Sequence, residues 1–249
     1  MANQRYSKKI LNICIVGIII IAIIFTAVML ILNYDENGET NMPFEISKIL
    51  VVSTVNGQDV ENSEYKWDIN VIQNNDIYIY VQKNKEYKKQ ETIKSIKIDN
   101  INIVKEPQVG EVKIYKPSTS EVNLFENKND NEIKEIEFSG TKATNNKNLE
   151  ISNQGGVLSF RCANNNVGTF KSNDDEEINY NQLISKLNIN EDELNATITF
   201  DITINLNSKK AFKAYDVEIK VPNENIVQEG TVGKENVDLN NVIFKRIEN

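Results

Sequence analysis

From Ile10 to Leu32 the chain carries no charged residue, and Arg5, Lys8 and Lys9 stand just before that stretch. As a helix it reaches about 34 Å, enough to cross a hydrocarbon core of roughly 30 Å. Isoleucine, valine and leucine fall on every side of such a helix, so no polar face is left for the surface of a globular domain. In lipid the backbone must satisfy its own hydrogen bonds, and a helix does so. Each strongly apolar side chain favours insertion by about 0.3–0.6 kcal/mol near the bilayer centre, which outweighs Asn12 near one end. The stretch predicts a transmembrane helix over residues 10–32, with the lipid bilayer as the partner of Ile10 to Leu32.

Charge sets the expected direction. Basic residues precede the span, and Asp35, Glu36 and Glu39 follow it. The positive-inside rule places residues 1–9 as a short cytoplasmic tail and residues 33–249 outside the cell. A cleaved signal peptide has an apolar region of roughly 7–15 residues and ends at small residues. This run is longer and has no A-x-A-like end. Cys14 comes too early, after Asn12 and Ile13, for a lipoprotein site. A pilin-type leader would need a glycine cleavage point and a glutamate just inside the span, and neither is present.

The 249 residues carry a formal charge of −8; removing the three basic residues before the span leaves 25 basic against 36 acidic, or −11, for the outer part. An acidic surface of this kind repels nucleic acid and anionic headgroups, so nucleic acid is excluded as a partner. Cys162 is the sole cysteine beyond the span, so no disulfide within the chain can staple the outer part. Its stability must come from a hydrophobic core. Asparagine, isoleucine and lysine are abundant while glycine, proline and alanine are sparse, a bias of low-GC Gram-positive bacteria. In that setting the Asn195-Ala196-Thr197 sequon carries no weight.

Residues 33–43 read as a polar stalk. Beyond it the dominant pattern is alternation with period two, the mark of strands with one buried face. Ile46, Ile49, Val51 and Val52 open the series. Tyr65, Trp67, Ile69 and Val71 alternate with Lys66, Asp68 and Asn70, then Asn74-Asn75-Asp76 reads as a turn before Ile77, Ile79 and Val81. The phase changes between Ile98 and Ile101 across Asp99-Asn100, which implies a tight turn or a bulge. Val112 and Ile114 form a strand that Pro117 stops. After a polar segment, Ile136 and Phe138, Leu149 and Ile151, and then Leu158, Phe160 and Cys162 resume the alternation. Asn153-Gln154-Gly155-Gly156 reads as a hairpin turn. Ile198, Phe200, Ile202, Ile204 and Leu206 pair with Tyr215, Val217, Ile219 and Val221 across Asn207–Lys210, and Val242–Ile247 adds a last strand. One short helix, Tyr180 to Leu187, follows the acidic run Asp174–Glu177.

This pattern predicts a mainly β fold, an antiparallel β-sandwich of Ig-like or jelly-roll-like type with one short helix. Residues 118–132 divide the outer part into two β domains, 44–117 and 133–249, or form a long loop within one larger sandwich.

Catalytic chemistry is poorly served. The chain has no histidine, which removes Ser-His-Asp and Cys-His machinery and the usual zinc sites. Cys162 shares a strand face with Phe160 and Leu158 and reads as a buried hydrophobe. Ser63-Glu64-Tyr65-Lys66 and Ser139-Gly140-Thr141-Lys142 match S-x-x-K, but lack the partner Lys-Thr-Gly motif. Carboxylates that could hydrolyse glycosides cluster in the polar runs Asp174–Glu177 and Glu191–Glu193, which suit solvated loops. Asn127, Asn129 and Asn131 have the alternate spacing of a calcium loop without its glycine and closing glutamate. Gly230-Thr231-Val232-Gly233-Lys234 is too short for a phosphate loop. Tyr78 and Tyr80, with Tyr87 nearby, either stack on a sugar or serve the core. The residues thus assign no catalytic, cofactor-binding or metal-binding positions and no cofactor.

Ile151-Ser152-Asn153-Gln154-Gly155-Gly156-Val157-Leu158-Ser159-Phe160-Arg161 and Val167-Gly168-Thr169-Phe170 resemble segments of uncharacterised single-pass surface proteins of clostridia-like, low-GC Gram-positive bacteria. The resemblance covers most of the chain and implies a bacterial surface protein without implying an activity. The expectation is a membrane-anchored, extracellular, non-enzymatic binding module whose partner is an extracellular protein or cell-wall polymer. A carboxylate-based wall glycan hydrolase is one alternative. An accessory subunit of a membrane complex, pairing through Gly17 and Ala22, is another.

Overall fold

The computed structural model describes residues 2–120, 122–140, 146–175, 177–235 and 237–248, with side chains from Ile15 onward. It divides into two units, Met1–Thr40 and Asn41–Asn249.

The first unit is one helix, α1 (Ala2–Asn37), which contains the whole predicted span. Within it, Ile15–Asn37 is long and apolar enough to cross a membrane. Ile18, Ile21, Phe25 and Leu30 are each at least 65% exposed, so the helix buries none of these side chains against protein. Gly38 ends it in the left-handed region (φ 66°), and its amide donates to the Tyr34 carbonyl at 2.8 Å. The expected stalk over 33–43 is thereby corrected: residues up to Asn37 are helical, and Met42 is already buried in the core of the second unit.

The second unit is a β-sandwich. Its strands are β1 (Phe44–Asp59), β2 (Trp67–Lys83), β3 (Ile93–Lys105), β4 (Glu111–Tyr115), β5 (Ile136–Gly140), β6 (Glu150–Ile151), β7 (Gly155–Ser172), β8 (Ala196–Leu206), β9 (Ala211–Val221), β10 (Thr231–Glu235) and β11 (Phe244–Ile247). One sheet has the order β10-β1-β2-β7-β4, the other β11-β9-β8-β3-β5-β6. The pairs are antiparallel except β5 with β6. Both sheets draw strands from both halves of the chain, since β2 pairs with β7 and β3 with β8. This corrects the division into 44–117 and 133–249. Those segments interleave in one unit, and residues 118–132 are a loop of it.

The loop is tied to the outer face of the first sheet. Arg161 on β7 grips Asp76 on β2 through two hydrogen bonds, Nε to Oδ1 at 2.5 Å and Nη2 to Oδ2 at 3.0 Å. The same guanidinium lies 4.8 Å from the Phe125 ring centroid and donates to Asn127 Oδ1 at 3.2 Å. Asn127 in turn donates to Asn74 Oδ1 at 2.9 Å.

The inner face of the first sheet is unusual in changing character along its length. On β2, Ile77, Ile79 and Val81 pack into a first core with Leu158, Phe160 and Cys162 of β7 and with the second sheet. Phe160 meets Phe200 edge-to-face at 5.4 Å between centroids. On the same face of β2, Ile69 and Val71 enter a second core with Val55, Val167, Leu183, Ile184, Leu194 and Ile226. Three one-turn helices, α2 (Leu183–Lys186), α3 (Glu191–Leu194) and α4 (Ile226–Glu229), supply the last four of these. The helix predicted from Tyr180 to Leu187 is present in part, as a 3-10 turn (Tyr180–Gln182) running into α2.

Between the cores a polar band crosses three strands at one level. Ser53, Gln73, Asn75 and Asn164 are all at most 2% exposed. The ladder sets Ser53 opposite Asn75 and Gln73 opposite Asn164. Asn75 Oδ1 accepts from Ser53 Oγ and Gln73 Nε2, both at 2.8 Å. Its Nδ2 donates to Gln73 Oε1 at 3.0 Å and to the Cys162 carbonyl at 3.2 Å. Thus Asn75 uses all four hydrogen-bonding positions of its amide. The predicted Asn74-Asn75-Asp76 turn is therefore corrected: these residues lie mid-strand in β2, with side chains bonded across the sheet rather than back to their own backbone.

Other expectations meet the structure directly. β3 continues through Asp99-Asn100 with a register shift against β8 and Asn100 at φ 51°, a bulge. β8 and β9 pair as an antiparallel hairpin, and β11 joins β9 at the edge. The residues 153–156 do turn, but they carry the chain from β6 in one sheet to β7 in the other, so they make no hairpin.

A second bulge, where β9 passes Asp216 at φ 50°, is held by Asp201 on the outer face of the second sheet. Asp201 Oδ1 accepts the Asp216 amide at 3.0 Å, and its Oδ2 meets Asn100 Nδ2 at 2.7 Å and Lys213 Nζ at 2.9 Å. Lys213 also reaches Asp99 at 3.1 Å. Burial pushes Asp201 up, but the Asp216 amide, Lys213 and Asn100 outweigh it and hold the carboxyl below its ordinary value. Burial pulls Lys213 down, and Asp201 and Asp99 reverse this, leaving it raised.

Two predictions follow from these contacts. Asn75→Ala strands a hydroxyl, an amide and a carbonyl in the interior, and should cost about 3 kcal/mol, read as a lower denaturant midpoint at unchanged slope. The Asp201 contribution is complete above about pH 4 and is lost as pH falls through its depressed folded value; that of Lys213 is complete below about pH 10 and is lost as pH rises through its raised one. Asp201→Asn should therefore flatten the loss of stability below about pH 4 in midpoints measured from acid to neutral pH.

Candidate functional site

The chain leaves β9 at Val221 and turns through Pro222 and Asn223, both buried. Asn223 crosses to the first sheet, where its amide nitrogen donates to Ser53 Oγ at 2.9 Å and its side chain donates to the carbonyls of Val51 and Val232, each at 2.8 Å. It therefore seats the β9–α4 connection against the polar band. Beside it a cleft of about 560 Å³ opens between the end of the second sheet and the helical segments.

The two walls differ in charge. Strand ends supply Lys105 of β3, Lys220 of β9 and Lys234 of β10; the helical side supplies Glu191 and Asp192 of α3 and Glu224 of the connection. α3 is positioned by its own ends. The Asn190 amide donates to Glu193 Oε2 at 2.8 Å, and the Gln108 amide donates to the Glu193 carbonyl at 2.8 Å. Glu191 Oε2 accepts the Asn225 amide at 2.8 Å, which fixes the entry to α4 while Asn225 sits at φ 69°. Glu224 pairs with Lys234 at 3.1 Å, with side chains 78% and 53% exposed. Asp192 accepts from Asn195 Nδ2 at 3.2 Å. Among the described residues, neither Lys105 nor Asp192 has an ion-pair partner.

Of the residues singled out by the sequence, Glu191 and Asp192 of the acidic run, Asn195-Ala196-Thr197 and Lys234 line this cleft, and the others lie elsewhere. Ser63 donates to Asp68 Oδ2 at 2.7 Å, while Lys66 pairs with Asp175 at 2.8 Å, so the first S-x-x-K match assembles no Ser–Lys pair. Thr141 and Lys142 of the second match lie outside the described residues. Asn129–Asn131 form a 3-10 turn and Asn127 belongs to the Arg161 network. No cluster of three His, Cys, Asp or Glu suited to a metal occurs among the described residues. Cys162 is fully buried, and burial pushes its thiol up to about 12, so it stays protonated. Tyr78 and Tyr80 stand half-buried on the outer face of the first sheet, but Lys48 Nζ lies 4.4 Å over the Tyr80 ring. Tyr87 bonds Lys210 instead, at 3.4 Å, so the three tyrosines make no common platform.

The assembly of these residues into one cleft drew no notice from the sequence because its members span residues 105 to 234 and adjoin only through the fold. No family model matches the chain, and neither a curated protein nor a solved structure matches it.

The two carboxylates of α3 should separate on substitution. Glu191→Ala loses a charged bond to a backbone amide and should cost about 1 kcal/mol. Asp192→Ala, at an exposed position, should stay within about 0.5 kcal/mol of the parent in the same denaturation measurement.

Proposed function

We propose that the chain is a single-pass membrane protein whose β-sandwich stands outside a Gram-positive bacterial cell as a binding module. The observation that carries this reading is α1, an unbroken helix with apolar side chains exposed on every side. Arg5, Lys8 and Lys9 precede the apolar run, and the acidic bulk of the chain follows it, which favours an inward N-terminus. The second unit has its own cores and needs no contribution from the helix.

The cleft supports binding over catalysis. Glu191 is committed to the Asn225 amide, and Glu224 to Lys234. The partner is an extracellular protein or a wall polymer.

The test is labelling of intact cells that express the full chain. A membrane-impermeant amine reagent should modify lysines beyond residue 33 and leave Lys8 and Lys9 untouched, with the protein in the membrane fraction. Labelling that requires broken cells, or recovery of the chain as a soluble protein, would overturn the proposal.

A further inference from the structure

We propose that the cleft beside Asn223 binds a short zwitterionic peptide segment, an inference that rests on the binding reading above and names its ligand class. The cleft lining mixes both signs of charge, and among the described residues only Glu224 and Lys234 pair with each other across it. Three ammonium groups come from strand ends and three carboxylates from the helical side, so the cleft is neutral within a strongly acidic chain. A polyanion entering it meets Glu191, Asp192 and Glu224, and a polycation meets Lys105, Lys220 and Lys234. An uncharged sugar offers hydroxyls to those groups but no charge to balance them. A peptide that carries an ammonium and a carboxylate can satisfy both walls at once.

The groups best placed to receive it are Lys105 and Asp192. Both are exposed, both line the cleft, and among the described residues neither is spent on an internal ion pair. Lys105 takes the ligand carboxylate and Asp192 its ammonium. The Glu224–Lys234 pair is solvent-exposed and weak enough to open for a second pair of ligand charges. A volume of about 560 Å³ falls in the range of sites for small ligands and suits a few residues of peptide. Because one wall belongs to α3, a bound peptide also ties the helical segments to the sheet ends.

The experiment titrates the full chain in detergent micelles, followed by amide resonances, with four probes. These are the peptide Glu-Ala-Ala-Lys with free ends, end-blocked tetra-alanine, a tetramer of N-acetylglucosamine, and tripolyphosphate. The expected result is that Glu-Ala-Ala-Lys shifts cleft amides and protects residues 183–194 from hydrogen exchange. Lys105→Glu and Asp192→Lys should each weaken it about tenfold, and the double swap Lys105→Glu/Asp192→Lys should recover binding by accepting the peptide in the opposite orientation. Both positions are exposed, so the variants keep the fold. Shifts at the cleft from the sugar or the polyphosphate, with none from the peptide, would overturn the ligand class and leave the cleft as a binding site. Silence at the cleft from all four probes would overturn both.

Discussion

The amide–hydroxyl band across Ser53, Asn75, Gln73 and Asn164 is the constraint on which the second unit depends. Three strands of 16 to 18 residues are too long for one apolar face to be covered by the opposite sheet alone. Each changes from apolar to polar and back to apolar at the same level. The sheet thus serves two cores, one shared with the second sheet and one with short helices. A buried polar group costs least when its bonds are made; Asn75 makes every bond its amide allows, whereas Asn164 donates to the Val109 carbonyl at 2.9 Å and its Oδ1 has no partner among the described residues. A one-residue slip of any of the three strands would face this set away from its partners and strand it. The band therefore fixes register as well as joining the cores.

The candidate site descends from that arrangement. Asn223 reaches the band from the second sheet, and the connection it anchors forms part of the cleft. Glu191 then holds the start of α4 through the Asn225 amide. The cleft exists because two cores with different roofs meet there, and both roofs end in charged residues.

Much of the fold was legible in the sequence wherever one local rule governed it. The apolar helix announced itself by length and the absence of charge. The β8–β9 hairpin showed five alternating apolar positions on one strand and Val217, Ile219 and Val221 on its mate, because one face of each is buried; Tyr215, expected on that face, is 50% exposed because the bulge at Asp216 breaks the alternation. Asn74-Asn75-Asp76 misled for a physical reason: asparagine and aspartate favour turns by bonding their own backbone, yet here Asn75 and Asp76 find partners on other strands and Asn74 on the loop at Asn127. The interleaving of the two halves could not be read, since period-two alternation says which face is buried and nothing of which strand lies alongside. The cleft was hidden for the same reason. Its lysines and carboxylates look like ordinary surface charges until β3, α3, β9 and β10 are brought together.

The joining of the two cores by the band can be followed with probes the chain already carries. Trp67, the sole tryptophan, packs against the second core, and Cys162 is buried in the first. In a Cys14→Ser background, denaturant titration of the full chain in micelles can follow Trp67 fluorescence and Cys162 thiol reactivity together. A single unit joined through Ser53, Gln73 and Asn75 gives coincident midpoints by both probes. Loss of the Trp67 signal at clearly lower denaturant, with Cys162 still shielded, would show that the cores fold separately and would contradict this account.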